Sequence, residues 1–305
     1  MTGPERAEPH RLRHHGLLGT VIELRILGSE PAATAADAAA IGEIERLQAV
    51  FNARDPGSEL RRWSADPTAT AGPELAEVLE LADWWRARTG GAFDAAAGRW
   101  FRLWADAEAT GIEPDDATLA RVAAELADPG VRRRWCDLSA LAKGWIVDRA
   151  VATVMGHAGV TGVTVNAGGD LAHAGAGTVR VGVEDPLRPY DNAAPLDVVV
   201  VDGAVATSGG ARRWWQVGDR RHPQLVDPRT GRPVSAAAAT VLAPNAASAD
   251  ALATAVIVSP LPRALDLLAG LDGVAGLVVG AGGEVAVSAN WPGAVGGRRR
   301  IVRPG

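Results

Sequence analysis

The chain changes character near its midpoint without an evident break. Up to about residue 155 its apolar residues recur at helical spacing. Beyond that they fall into short β-branched runs separated by Gly, Pro and Asp. After a strand over 19–28, the helical half predicts helices over Thr34–Phe51 (Ile41, Ile44, Leu47 and Val50 inward), Pro73–Thr89, Thr118–Leu126 and Ala140–Met155. The second half predicts strands over 162–166, 178–183, 196–201 and 239–242, helices over 248–258 and 262–268, and a closing hairpin over 277–287. There is no repeat, and no linker that would divide the chain. The expectation is one α/β (α+β) domain over 16–305, preceded by a disordered tail over 1–15.

Composition narrows the function classes. A net charge of −5 over 305 residues gives no reason to expect nucleic acid or an anionic membrane as partner. The basic ends, Arg11 to His15 and Arg298 to Arg300, read as solvated tails; His10 and His14 have metal-ligand spacing but, in a frayed terminus, read as idle. Cys136 is the sole cysteine, so no internal disulfide forms. The first 20 residues hold no apolar core of signal-peptide length, and no run approaches a membrane span, which predicts a cytoplasmic protein. Ten tryptophans stand against one tyrosine and three phenylalanines. Indoles stack well on flat heteroaromatic rings, but they more often pack cores.

Lys143 is the only lysine; every other Lys/Arg position holds arginine. Lysine presents a compact ammonium rather than a planar fork. Either it is one surviving surface lysine, or its shape matters. It lies in Asp137-x-x-Ala140-x-x-Lys143-Gly144, where a carboxylate, a bend and an ammonium can line one wall of a pocket.

Five other short stretches bear Gly or Asp at chemically useful places. Asp250 and Thr254 stand at i and i+4 on one helix face, capped by Ser248 or Asn245. They are hard oxygen ligands suited to Mg²⁺, or Asp250 only complements the helix dipole. Gly91-Ala92-Phe93-Asp94 lets backbone approach a ligand, and Asp94 can accept a hydrogen bond from it. Asn166-Ala167-Gly168-Gly169-Asp170 ends a strand, Ala206–Gly210 follows, and Asp227-Pro228-Arg229-Thr230-Gly231 sets a tight turn. A Gly-x-Gly-x-x-Gly after a strand, a P-loop, a nucleophile elbow and a Cys-x-x-Cys are all missing.

Taken in order, and joined by Ser58-Glu59-Leu60 and Val183–Pro186, these stretches resemble the FAD:protein FMN transferase family, the ApbE-like flavin transferases, from about Gly16 to Pro260. The resemblance implies an ApbE-type fold, mixed sheets flanked by helices, rather than a Rossmann fold. It implies Mg²⁺-dependent transfer of FMN from FAD to a threonine or serine hydroxyl of a client flavoprotein, releasing AMP. Some members instead hydrolyse FAD to FMN and AMP. By position, Asp250, Thr254 and the carbonyl of Ala140 would hold Mg²⁺, and Ala92, Phe93, Asp94, Asp137 and Lys143 would line the FAD site. Leu18, where the family often has methionine, Arg54, where it often has an aromatic ring, and Leu225 are further cofactor positions.

One departure bears on catalysis. The family's histidine three residues before the Asp-Pro-x-Thr-Gly aspartate is Gln224 here, which cannot accept a proton at neutral pH. His222 would take over as base if Pro223 bulges the strand; otherwise it is a surface residue. Gln224 leaves a third reading open, a flavin-binding protein without turnover.

Overall fold

The computed structural model describes residues 8–189, 195–210 and 213–294, and the backbone of 301–302. In the first half, strands β1 (His10–Leu17) and β2 (Thr20–Gly28) lead into α1 (Glu30–Phe51), α2 (Glu59–Ala65) and α3 (Pro73–Arg88). Then come α4 (Gly98–Thr110), α5 (Asp116–Glu125), α6 (Pro129–Arg134) and α7 (Ala142–Met155). The second half opens with β3 (Val160–Ala167), β4 (Asp170–Gly175), β5 (Val179–Val183), β6 (Asp197–Val201) and β7 (Gly203–Gly209). It continues with β8 (Trp214–Val217), β9 (Arg220–Pro223), the two-residue strands β10 (Val226–Asp227) and β11 (Arg232–Pro233), and β12 (Ala238–Ala243). Helices α8 (Ala246–Ile257) and α9 (Leu261–Ala269) precede β13 (Ala275–Val279), β14 (Val285–Val287) and β15 (Ile301–Val302).

Nine strands form one sheet in the order β1-β2-β3-β4-β7-β12-β13-β14-β15, antiparallel at every pairing except β14–β15. An antiparallel sheet needs no crossover helices, so the fold is α+β and not doubly wound. Strand alternation gives the sheet its inner face. Ile22, Leu24 and Ile26 of β2 and Val163, Val165 and Ala167 of β3 are almost wholly buried beneath α1, α7 and α8. The β5–β6 hairpin covers part of the opposite face, where Val199, Val201, Val205, Leu277 and Val279 form a second cluster.

The expectation of a tail over 1–15 is corrected from residue 10 on, and with it the reading of Arg11 to His15 as solvated tail. β1 pairs with β2 from His10↔Ile26 to Leu17↔Thr20. Its inner face carries Leu12, which packs on the core, flanked by two matched histidines: His10 Nε2 lies 3.1 Å from Gly28 O, and His14 Nε2 lies 2.9 Å from Asp37 Oδ1. A strand whose buried side is mostly histidine shows little apolar alternation, hence the misreading; the two histidines lie in an ordered strand and make hydrogen bonds. Residues 1–7 and Arg298–Arg300 lie outside the described residues.

Helix α1 begins earlier than Thr34, because Ser29 caps it by accepting from Ala32 N–H and Pro31 pre-sets the first turn. Helix α4 is absent from the sequence-based expectation because tryptophan carries its apolar face. Trp100 and Trp104, at i and i+4, pack with Leu119, Val122 and Trp215 in a third cluster. Their indole N–H groups donate to Pro228 O (3.0 Å) and Gly231 O (2.8 Å). These tryptophans therefore brace the Asp227–Gly231 turn and are core residues. No helix among the described residues is long and apolar enough to cross a membrane.

Candidate active site

Three elements converge on one buried point. The β3–β4 turn uses Gly168 and Gly169, both at positive φ, and Gly169 N–H donates to Asn166 Oδ1 at 3.0 Å. That turn delivers Asp170 to the start of β4, 2% exposed. Lys143, in the first turn of α7, places Nζ 2.6 Å from Asp170 Oδ2. Asp250, on α8, points its Oδ2 at the backbone N–H of Gly144 at 3.2 Å. Asn245 caps α8 by accepting from Ser248 N–H, so Asp250 and Thr254 share a face as expected, and Thr254 Oγ1 lies 3.2 Å from Ser208 Oγ of β7.

The electrostatics follow from burial. Asp250 is pushed well above the usual carboxylate range, first by burial, then by the charge of Asp170; Lys143 and Gly144 N–H oppose this. Asp170 is also raised by burial, against the pull of Lys143. Burial acts to lower the Lys143 ammonium, but Asp170 and Asp250 outweigh it and the net shift is upward. Lys143 is therefore a fixed positive charge at neutral pH.

The residues fit a hard divalent cation. Asp170 Oδ2 lies in ionic contact with Lys143 yet accepts no aligned hydrogen bond. Gly144 N–H is one of the first-turn donors of α7 that no carbonyl of the helix can satisfy, and Asp250 takes it; Ala140 lies just before the N-cap Leu141. Two carboxylates, a hydroxyl and a carbonyl are an oxygen set for Mg²⁺ or Ca²⁺. No group of three or more His, Cys, Asp or Glu side chains placed to hold a metal ion occurs among the described residues, so a cation here would also need hydroxyl and main-chain oxygens.

The other expected site residues fall into three groups. The first is joined to the cluster through the backbone. Asp137 N–H donates to Ala95 O at 2.7 Å, tying the start of the Lys143 segment to the Gly91–Asp94 segment. Arg229, held by Asp227 through two hydrogen bonds, packs against Gly91. Ala92 and Phe93 are buried, and their N–H groups donate to Thr89 O and Thr89 Oγ1, while Asp137 Oδ1 accepts from Ser139 N–H. Asp94 is corrected as a free acceptor: Arg132 grips both oxygens, Arg86 adds a third bond, and Oδ1 also caps Ala96 N–H.

The second group is peripheral. Leu18 is the one non-glycine residue at positive φ (49°) among those described, and its N–H is held by Gln48 Oε1 at 2.6 Å. Leucine there costs roughly 1–2 kcal/mol. Arg54 is exposed in the loop after α1, and Leu225 packs near Gly210.

His222 stands apart. Pro223 does not bulge it toward the cluster; its ring packs on Trp104, and Nε2 meets Glu113 Oε1 at 2.9 Å in the third apolar cluster. Gln224 donates from Nε2 to Trp214 O.

Asp170, Asp148 and Ser208 were not assigned roles from sequence. Asp170 and Ser208 lay inside quoted Gly-rich stretches, a signal that could have found them. Asp148 gave none. From α7 it accepts the N–H groups of Ala246 (2.7 Å) and Ala247 (2.9 Å), a cap supplied by a neighbouring helix. Asp148→Ala is expected to cost about 1–2 kcal/mol in chemical denaturation. It should also lower cation affinity, because α8 carries Asp250. Unchanged stability would rule out the cap.

A family model described as the ApbE family matches residues 18–278. The chain belongs to the ApbE family. The FAD:protein FMN transferase of Treponema pallidum is 28% identical over 307 residues, covering 86% of this chain and 82% of its own. That of Rhodobacter capsulatus is 30% identical over 280 residues, covering 80% of this chain and 50% of its own. The ApbE protein of Thermotoga maritima superposes with a TM-score of 0.77 at 24% identity, over 92% of this chain and 97% of that one. These likenesses bear out the expected fold, sheets flanked by helices and no Rossmann unit.

Proposed function

We propose that this chain transfers FMN from FAD to a threonine or serine hydroxyl of a client flavoprotein, releasing AMP, in a Mg²⁺-dependent reaction, and that everything from β1 onward acts as one domain. The carrying observation is the buried Lys143–Asp170–Asp250 cluster where β4, α7 and α8 meet. Family membership and the activity named for the relatives support it. Asp250, Thr254 and the Ala140 carbonyl would hold Mg²⁺, which when bound supplies charge neutralisation for the pyrophosphate and the departing phosphate.

The chain's own groups do the rest. Lys143 holds positive charge beside the pyrophosphate, kept ionised by the two aspartates. Ala92, Phe93 and Asp137 line the FAD site; Leu18, Arg54 and Leu225 bound its flavin end. The acceptor oxygen forms a bond to the FMN phosphorus, and the bond from that phosphorus to the bridging oxygen breaks. The bond's electron pair leaves with AMP, and the hydroxyl proton is released. Such transition states are loose, so positioning and charge matter more than a base.

His222→Ala should therefore reduce turnover by less than ~10-fold while lowering the melting temperature, since the Glu113 and Trp104 contacts are lost. A fall within the ~10²–10⁴ range of general-base catalysis, with FAD affinity unchanged, would restore His222 as the base.

A second reading is a flavin-binding protein without turnover, favoured by the engagement of Gln224 with Trp214 and of His222 with Glu113. Incubation with FAD, Mg²⁺ and an acceptor peptide, read by mass spectrometry, separates the readings. Flavinylated peptide plus AMP is the expected result. Free FMN plus AMP would mean hydrolysis, and bound, intact FAD would mean the silent binder.

A further inference from the structure

The sheet face turned away from α1, α7 and α8 is apolar where β5 and β6 cover it, over β7, β13 and β14. Over β1 to β4 much of it is polar. Strand pairing sets Arg11 opposite Arg25, Arg25 opposite Thr164, and Thr164 opposite His173. Directly paired residues share a face, so these four make one row across four strands, at about 4.8 Å per step. The neighbouring row holds Glu23, but Arg13 has taken it. Arg11 and Arg25 have no acidic partner among the described residues. Like charges directly opposite each other weaken a strand pair.

Arg25, Thr164 and His173 also line a cavity of about 670 Å³, whose other walls include Gly177 and Val179. That size suits a small organic ligand. His173 is 7% exposed, with Nδ1 3.0 Å from Thr164 Oγ1 and Nε2 3.1 Å from Gly177 O. Both ring nitrogens are thus spent on fixing the cavity wall and the Thr164 hydroxyl. An uncompensated guanidinium in an open groove of mixed polar and apolar lining is a feature that a bound anion would complete.

We propose that this pocket is a second ligand site, for a small oxyanion group, phosphate or carboxylate, with Arg25 as its main charge and Arg11 beside Arg25 on the neighbouring strand. The planar fork of arginine matches either group with two parallel hydrogen bonds. The site lies across the sheet from Asp170, whose strand partner Ala167 faces the helices. It takes no part in the proposed transfer and stands independently of it.

The test is thermal melting of FAD-free protein against inorganic phosphate and, separately, malonate, for wild type, Arg25→Gln and Lys143→Gln. A saturable rise in melting temperature is expected in wild type and in Lys143→Gln. Arg25→Gln should weaken it ~10–100-fold, the loss of a charge-assisted hydrogen-bond pair. The anion acting at lower concentration identifies the group. An undiminished response in Arg25→Gln, or no saturable response to either anion, overturns the proposal. Selenate soaked into wild-type crystals gives a check independent of variants. An anomalous peak beside the Arg25 guanidinium is expected, and selenate found only at Lys143, or nowhere, refutes the site.

Discussion

Asp250→Asn is expected to abolish metal-dependent FAD cleavage while making the metal-free protein more heat-stable at pH 7. The loss should be at least ~10²–10³-fold, the scale of removing one preorganised charge from a site of this kind. The gain follows from linkage. Burial, then Asp170, raises the folded-state pKa of Asp250. A raised carboxyl contributes stability that is fully present below its unfolded value of about 3.9 and is lost as pH climbs through the folded one. Metal-free wild type should therefore melt lower as pH goes from acid to neutral. Asp170 and Asp148 shift in the same direction, so the diagnostic quantity is the difference in slope between wild type and Asp250→Asn. Added Mg²⁺ should raise the melting temperature of wild type far more than that of the variant. Wild-type cleavage by the variant would sink the metal assignment.

Gly144→Ala is expected to disable the protein through packing alone. A Cβ at Gly144 would overlap the Ala246 carbonyl oxygen and stand 2.6 Å from Ala246 C and 2.9 Å from Ala247 Cα. These are backbone atoms at the start of α8, so no side chain can swing aside. The helices must part, which disturbs the Gly144–Asp250 bond and the Asp148 cap together. Overpacking of this kind costs about 1–3 kcal/mol, occasionally more, and the lost bonds place this case at the upper end. Guanidinium denaturation would measure it. Native stability with native FAD cleavage would show that the α7–α8 contact is not as rigid as the geometry requires.

The sequence made these helices legible but not their contact. Apolar spacing gave α7 and α8 to within two residues, and Asp250, Thr254 and Lys143 stood out by type and spacing. Asp148 could not be seen, because its partners are backbone groups 98 and 99 residues away. Asp94 looked like a free acceptor because the arginines that occupy it belong to separate helices, α3 and α6. Ala140 is the reverse case. A backbone ligand leaves no trace in residue type, and only the family resemblance pointed to it. Helix α4 and strand β1 were missed because tryptophan and histidine fill positions that periodicity arguments reserve for aliphatic residues.

The eight residues of β1 have a practical consequence for anyone shortening this chain. A version trimmed at residue 16, where the polar opening segment looks dispensable, would strip the outermost ribbon from the sheet. It would bare the N–H and C=O groups of β2 along the length now paired to β1. A long, flat strand margin of that kind recruits other chains, so aggregation during expression would report a faulty boundary and not an unstable protein.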